Sequence, residues 1–118
     1  MDISVIIVNW NTKKLLEDCL KSIFKFTKDV SFEVIVVDNA SEDGSQVIVK
    51  ENFPQVKLIP NRDNLGFAKA NNQGIKIAEG KYVLLLNSDT YLIENSFKKL
   101  IEKADSFDKL GAMGPLLL

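Results

Sequence analysis

Residues 3–8, 32–37, 56–59 and 82–86 are four short runs dominated by aliphatic and β-branched side chains, and each breaks off at a polar turn before a stretch with helical periodicity. Such short, nearly continuous apolar runs read as strands covered on both faces rather than as half-exposed strands, which would alternate. The intervening stretches, near residues 13–26, 43–52, 67–79 and 96–105, read as helices. In the first of them Leu15, Leu16, Cys19, Leu20, Ile23 and Phe24 form one apolar stripe. This order predicts an α/β fold with a mostly parallel sheet, helices on both faces and right-handed crossovers. Local signals place the ends. Asn11 or Thr12 can cap the first helix, Asp43 with Gln46 resembles a capping box, Pro60 closes the third strand, and Gly80 caps the third helix from behind. In the third helix the pattern Phe67, Ala70, Asn71, Gly74, Ile77 and Ala78 is one of small residues, which allows close approach. Residues 111–118 start another strand or a turn.

At 118 residues the chain is one domain, and its Leu-Leu-Leu end is odd for a finished one, so it reads as cut from something longer. Fifteen basic residues against sixteen acidic ones leave a net charge of −1, which carries no signature of a nucleic-acid-binding field. The absence of histidine excludes a Ser-His-Asp triad, a Cys-His pair and a histidine-rich zinc site within this sequence. Acid and base work falls to carboxylates. Cys19, the single cysteine, lies on the apolar stripe and reads as a buried structural thiol. No apolar run is long enough to span a bilayer and no signal leader opens the chain, so a cytoplasmic location is expected.

Function in open α/β sheets gathers beyond the carboxyl ends of the strands. Three polar clusters stand there: Asn9-Trp10-Asn11, Asp38-Asn39-Ala40-Ser41 and Asn87-Ser88-Asp89. The plainer reading of the last is a cap for the next helix. Neither the Gly-x-Gly-x-x-Gly turn of a dinucleotide-binding domain nor a Walker loop is present. A phosphoacceptor receiver suits the size, but it needs an acidic pair after the first strand, where this chain has asparagines. A pyrimidine nucleoside diphosphate accounts for all three clusters. Asp38 is suited to accept from the imide N–H, asparagines can answer the carbonyls, and a divalent cation on Asp89 can bridge to the phosphates.

The segments around Ser4–Asn11, 36–45, 64–74 and 86–90 resemble glycosyltransferase family 2, in the same order and over essentially the whole chain. The Asn-Leu-Gly-Phe-Ala and Leu-Asn-Ser-Asp-Thr blocks look most like its rhamnosyltransferase-like members. The resemblance implies a Rossmann-like fold of GT-A type, here the donor-binding part without the acceptor-binding half. It implies an inverting, metal-dependent enzyme that transfers a sugar from a UDP- or dTDP-sugar to a glycan or lipid-linked acceptor. Val8, Asn9, Asn11, Asp38, Asn39, Ser41, Gly66, Phe67, Asn71 and Asn87 match nucleotide-binding positions, and Asp89 matches the metal ligand for Mg2+ or Mn2+. Lys69, in the same stretch, is expected to point to solvent and Ser88 to fill a turn position. Asn87 replaces the first aspartate of the family's Asp-x-Asp signature, so the cation relies on Asp89 and the ligand's phosphates. Twenty-nine residues follow Asp89, and Glu94, Glu102, Asp105 and Asp108 have the spacing of solvent-facing positions, so no catalytic base is assigned. The alternative is a nucleotide-diphosphate-binding module without turnover. A lipid-linked acceptor is compatible with peripheral membrane association, and an unfinished sheet can recruit a second copy.

Overall fold

A computed structural model describes residues 1–106; the strand or turn expected at 111–118, and Asp108, lie outside them. The elements run β1 (Ile3–Asn9), α1 (Lys13–Phe26), β2 (Phe32–Asn39), α2 (Ser45–Asn52), β3 (Lys57–Asn61), α3 (Phe67–Ile77), β4 (Tyr82–Asn87) and α4 (Ser96–Asp105). All strand pairs are parallel, in the order β3-β2-β1-β4. The expected α/β alternation is therefore present, with β1 and β2 at the centre.

Pleating divides the core in two. Ile3, Val5 and Ile7 of β1 join Val34 and Val36 of β2, Leu84 and Leu86 of β4, and Leu16, Leu20, Val49 and Phe97 of the helices α1, α2 and α4. On the other face Ile6, Ile35 and Val37 pack against Ala70 of α3. β1 and β2 are buried on both faces, which explains why their sequences do not alternate. β4 departs from the expectation of two covered faces. It lies at the sheet edge, and α3 packs over β1 and β2, so Leu84 and Leu86 are buried while Val83 and Leu85 remain 44% and 43% exposed.

Three boundary signals act differently from their sequence reading. β3 continues through Pro60, which pairs in register with Asp38, and an edge strand tolerates a residue without an N–H. The capping box at Asp43 does not form. Asp43 instead accepts hydrogen bonds from the Lys13 N–H at 2.9 Å and from the Ser45 N–H at 3.0 Å, so it caps α1 across space. α3 ends at Ile77, and Gly80 is not its cap. A Cβ on Gly80 would stand 2.5 Å from the Ser4 nitrogen, so glycine is required there for the chain to cross β1.

The same crossing is held by a buried carboxylate. Glu33 accepts from Ser4 Oγ at 2.5 Å and from the Glu79 N–H at 2.7 Å, and Lys57 Nζ lies 2.8 Å from its other oxygen. Burial pushes its carboxyl group up, but the bonds from Lys57, Ser4 and the Glu79 amide outweigh this and hold it below its ordinary value of 4.5. A lowered folded-state value means that Glu33 contributes stability above its ordinary value and loses that contribution as the pH falls through the folded one.

Two measurements check these contacts. Helix propensity alone would make Gly74→Ala stabilising by about 1 kcal/mol. A Cβ there falls 2.6 Å from Ile6 Cγ2 in the core, so we expect a net loss of about 1–2 kcal/mol in urea denaturation. Glu33→Gln should lower stability by about 2 kcal/mol at neutral pH, and its deficit against wild type should shrink in denaturation curves taken progressively further below pH 4.5.

Candidate functional site

Parallel register brings the carboxyl ends of β1, β2 and β4 side by side: Asn9 pairs with Asp38, and Val8 with Asn87. The three polar clusters thus meet on one rim. The pleat then sorts their residues. Asn9 and Asp38 point toward α1 and α2, whereas Val8, Asn39 and Asn87 share the face on which α3 lies.

On the first face Asp38 is 1% exposed and accepts four hydrogen bonds. Its Oδ1 takes Asn9 Nδ2 at 2.8 Å and Ser41 Oγ at 2.7 Å; its Oδ2 takes the Ser41 N–H at 2.9 Å and Gln46 Nε2 at 2.8 Å. The acceptor capacity of this buried carboxylate is thus already used by the protein. The network continues outward. Ser41 Oγ accepts from the Asn11 N–H at 2.9 Å, and Asn11 Oδ1 accepts from the Glu42 N–H at 2.8 Å. Asn11 and Ala40 adopt the left-handed region, at φ 52° and 61°. Asparagine visits it readily, but for Ala40 it is a strained conformation, and the bonds of Ser41 on Asp38 hold the turn.

A relay then crosses to the third cluster. Thr12 Oγ1 donates to Asn9 Oδ1 at 2.6 Å and lies 3.1 Å from Ser88 Oγ. An amide oxygen can only accept, so the Thr12 proton goes to Asn9 and Ser88 donates to Thr12. Residues 87–90 form a turn closed by Thr90, whose N–H and Oγ1 both donate to the Asn87 carbonyl, at 3.2 and 2.6 Å. α4 begins only at Ser96, with Asn95 at its N-cap position. The helix-cap reading of Asn87-Ser88-Asp89 therefore falls, and Ser88 does fill a turn position.

On the second face Asn39 is 2% exposed, with Nδ2 donating to the Gly66 carbonyl at 3.2 Å and Oδ1 accepting from Asn61 Nδ2 at 3.0 Å. Asn61 in turn exchanges two bonds with Gln73 of α3, at 2.8 and 2.9 Å. Gly66 opens α3 at φ 84°, and nothing lies within 4 Å of where its Cβ would be. Its conformation demands glycine, and the space beside it is open. Phe67 next to it is 58% exposed, and Lys69 is exposed as expected. Asn71 on the second turn is 5% exposed, and its Nδ2 has no partner among the described residues. A buried donor without an acceptor costs about 1–3 kcal/mol.

Asn87 and Asp89 are exposed, and no ion pair among the described residues uses Asp89. Those residues contain no group of three or more acidic, histidine or cysteine side chains able to cage a metal. One free carboxylate beside neutral oxygens nevertheless fits a hard cation that keeps most of its waters and leans on phosphate oxygens. Glu94 pairs with Lys99 at 2.9 Å, while Asp105 is held by Lys81 at 2.9 Å and Tyr82 at 2.6 Å. Cys19 is fully buried, and its thiol is pushed up to about 12, mainly by burial, with Thr90 opposing and Asp89 adding. That agrees with an inert structural thiol. The sequence names Thr12 and Gln46 only as capping candidates and Asn61 and Gln73 not as site residues; the contacts Thr12–Ser88, Gln46–Asp38 and Asn61–Gln73 span 76, 8 and 12 residues, and no local pattern announces them.

The chain resembles known proteins in sequence and in fold. Residues 4–117 match the family described as glycosyl transferase family 2. Glycosyltransferase GlyG of Streptococcus pneumoniae serotype 4 is 33% identical over 109 residues, covering 90% of this chain and 36% of the relative. The crystal structure of Staphylococcus aureus TarS 1–349 in complex with UDP-GlcNAc superposes with a TM-score of 0.79 at 28% identity, over 96% of this chain and 37% of that one. The mannosyltransferase PcManGT of Pyrobaculum calidifontis, in complex with GDP-Man and Mn2+, gives 0.75 at 26% identity, over 91% and 32%. The chain thus spans about a third of the length of these proteins.

The Asp38 geometry makes a stability forecast. Asp38→Ala should cost about 2–4 kcal/mol in thermal or urea unfolding without any ligand, because buried donors lose their acceptor. A carboxylate held open for a ligand would leave the unfolding curve nearly unchanged.

Proposed function

Since the chain belongs to glycosyl transferase family 2, we propose that it is the donor-binding part of an inverting, metal-dependent hexosyltransferase. Its donor is a UDP- or dTDP-sugar and its acceptor a glycan or a lipid-linked acceptor of a polysaccharide pathway, reached from the cytoplasm. Among the described residues no helix is long and apolar enough to cross a membrane; contact with a lipid-linked acceptor is proposed as peripheral.

The observation that carries this reading is the α3 side of the rim. Exposed Asn87 lies beside Val8, Asn39 lies under the open backbone of Gly66, and the orphan amide of Asn71 belongs to the helix above. In this assignment Val8 and Asn39 meet the base, Asn87 takes a ribose hydroxyl, and Gly66, Phe67 and Asn71 close over nucleoside and phosphate. An acceptor atom of the ligand at Asn71 Nδ2 would recover the cost of its burial. Asn9, Asn11, Asp38 and Ser41 serve the nucleotide indirectly by holding the turns. Asp89 would hold Mg2+ or Mn2+ together with the diphosphate. A divalent ion in that place supplies charge stabilisation for the departing diphosphate. The bound nucleotides of TarS and PcManGT, and the Mn2+ of the latter, support the ligand class.

An inverting transfer also requires a carboxylate to deprotonate the acceptor hydroxyl. Glu94 and Asp105 are engaged by lysines, and Glu102 is exposed on α4. We assign no catalytic base among the described residues. The isolated chain is accordingly expected to bind donor without turning it over, and a transfer assay on it tests that point.

Calorimetric titration with UDP and dTDP, with and without Mn2+, tests the site. Asn71→Ala should weaken UDP binding about tenfold under both conditions. Asp89→Ala should remove chiefly the Mn2+-dependent part. Tight Mg2+ or Mn2+ binding without nucleotide would contradict a single-carboxylate site.

A further inference from the structure

The turn that carries Asp89 is fastened to one helix by alternate residues. Ser88 Oγ meets Thr12 Oγ1 at the N-cap of α1. Thr90 lies beside the Cys19 thiol. The Leu92 N–H donates to Ser22 Oγ at 2.8 Å, while Ser22 Oγ donates to the Cys19 carbonyl at 2.7 Å. Thr12, Cys19 and Ser22 follow helical spacing down one side of α1, and residues 88, 90 and 92 meet that side in turn. Cys19, Ser22 and Leu92 are all at least nine-tenths buried.

Both neighbours of Asp89 are thus held against α1, and Asp89 alone of the three is exposed. No regular element lies between the end of β4 at Asn87 and the start of α4 at Ser96, so hydrogen bonds to α1 must define the path of this segment. Ser22 is well suited to the task. A helical serine that donates to a carbonyl in the preceding turn keeps its lone pairs for an outside donor. The Leu92 N–H, buried beneath it, would otherwise be unpaired.

We propose that Thr12 and Ser22, with Cys19 packed between them, are positioning residues that aim the Asp89 carboxylate at a cation bound with the diphosphate. This inference rests on the reading of Asp89 as metal ligand and extends it to residues that touch neither metal nor nucleotide. It predicts a separation between two halves of binding. Loosening α1 from the turn leaves contacts on the α3 side intact and blurs only the metal-dependent part.

The test uses the full chain, with UDP affinity measured by calorimetry with and without Mn2+, and the Mn2+ electron paramagnetic resonance spectrum recorded in the presence of UDP. Ser22→Ala and Thr12→Val are the variants, and Thr12→Ser is the conservative control. The expected result is that Ser22→Ala and Thr12→Val each reduce the Mn2+-dependent gain in UDP affinity about tenfold. Metal-free affinity should stay within about twofold, the Mn2+ spectrum should broaden, and Thr12→Ser should restore the gain. A gain in wild type that survives unchanged in both variants overturns this inference alone, as does an equal loss with and without metal, which would mark a general packing role. No Mn2+-dependent gain in wild type overturns the metal reading of Asp89 and this inference together.

Discussion

A single buried carboxylate organises the rim. Removing Asp38 from water is costly unless its lone pairs are filled, and four hydrogen bonds from Asn9, Ser41 and Gln46 fill them. Each bond also does local work: Asn9 ends β1, Ser41 fixes the left-handed turn at Ala40, and Gln46 ties in α2. Through Asn9 and Thr12 the same network reaches Ser88, the neighbour of Asp89. The three turns are therefore set as one body rather than as independent loops.

The two faces of the sheet divide the labour. At the rim, the polar groups around Asp38 on the side packed on α1 and α2 are engaged in internal hydrogen bonds. The α3 side is less complete, with an unpartnered amide on Asn71, open space at Gly66 and exposed Asn87. Incomplete satisfaction in a folded protein is unfavourable unless something else supplies the missing partner. That asymmetry, more than any one motif, is the ground for proposing the nucleotide on the α3 side.

β2 carries both of the buried acids, five residues apart and on opposite faces. Asp38 secures the functional rim, and Glu33, at the other end, secures the crossing from α3 into β4. Glu33 is partnered by Lys57, Ser4 and the Glu79 amide, and Asp38 by Asn9, Ser41 and Gln46. Between them runs a purely aliphatic stretch, Val34 to Val37, that is buried on both sides. A central strand can hold carboxylates at its ends because only there do turns supply enough N–H and O–H donors.

The apolar runs and their spacing determined the parallel α/β architecture, since strand burial and helical periodicity are local properties of the chain. Composition likewise narrowed the available chemistry: with no histidine in the sequence, acid and base work falls to carboxylates. The sequence also pointed to Asp89, because a lone acid just beyond a strand end is visible from spacing alone. What it could not decide was the direction in which adjacent side chains point. Asp38 and Asn39 are neighbours in sequence, yet the pleat sends one into a closed network under the turns and the other to the side where α3 leaves room. The edge position of β4, the demand for glycine at residue 80, and the grip of α1 on the Asp89 turn were equally hidden. Each depends on atoms far apart in sequence that only the packed sheet brings within contact distance.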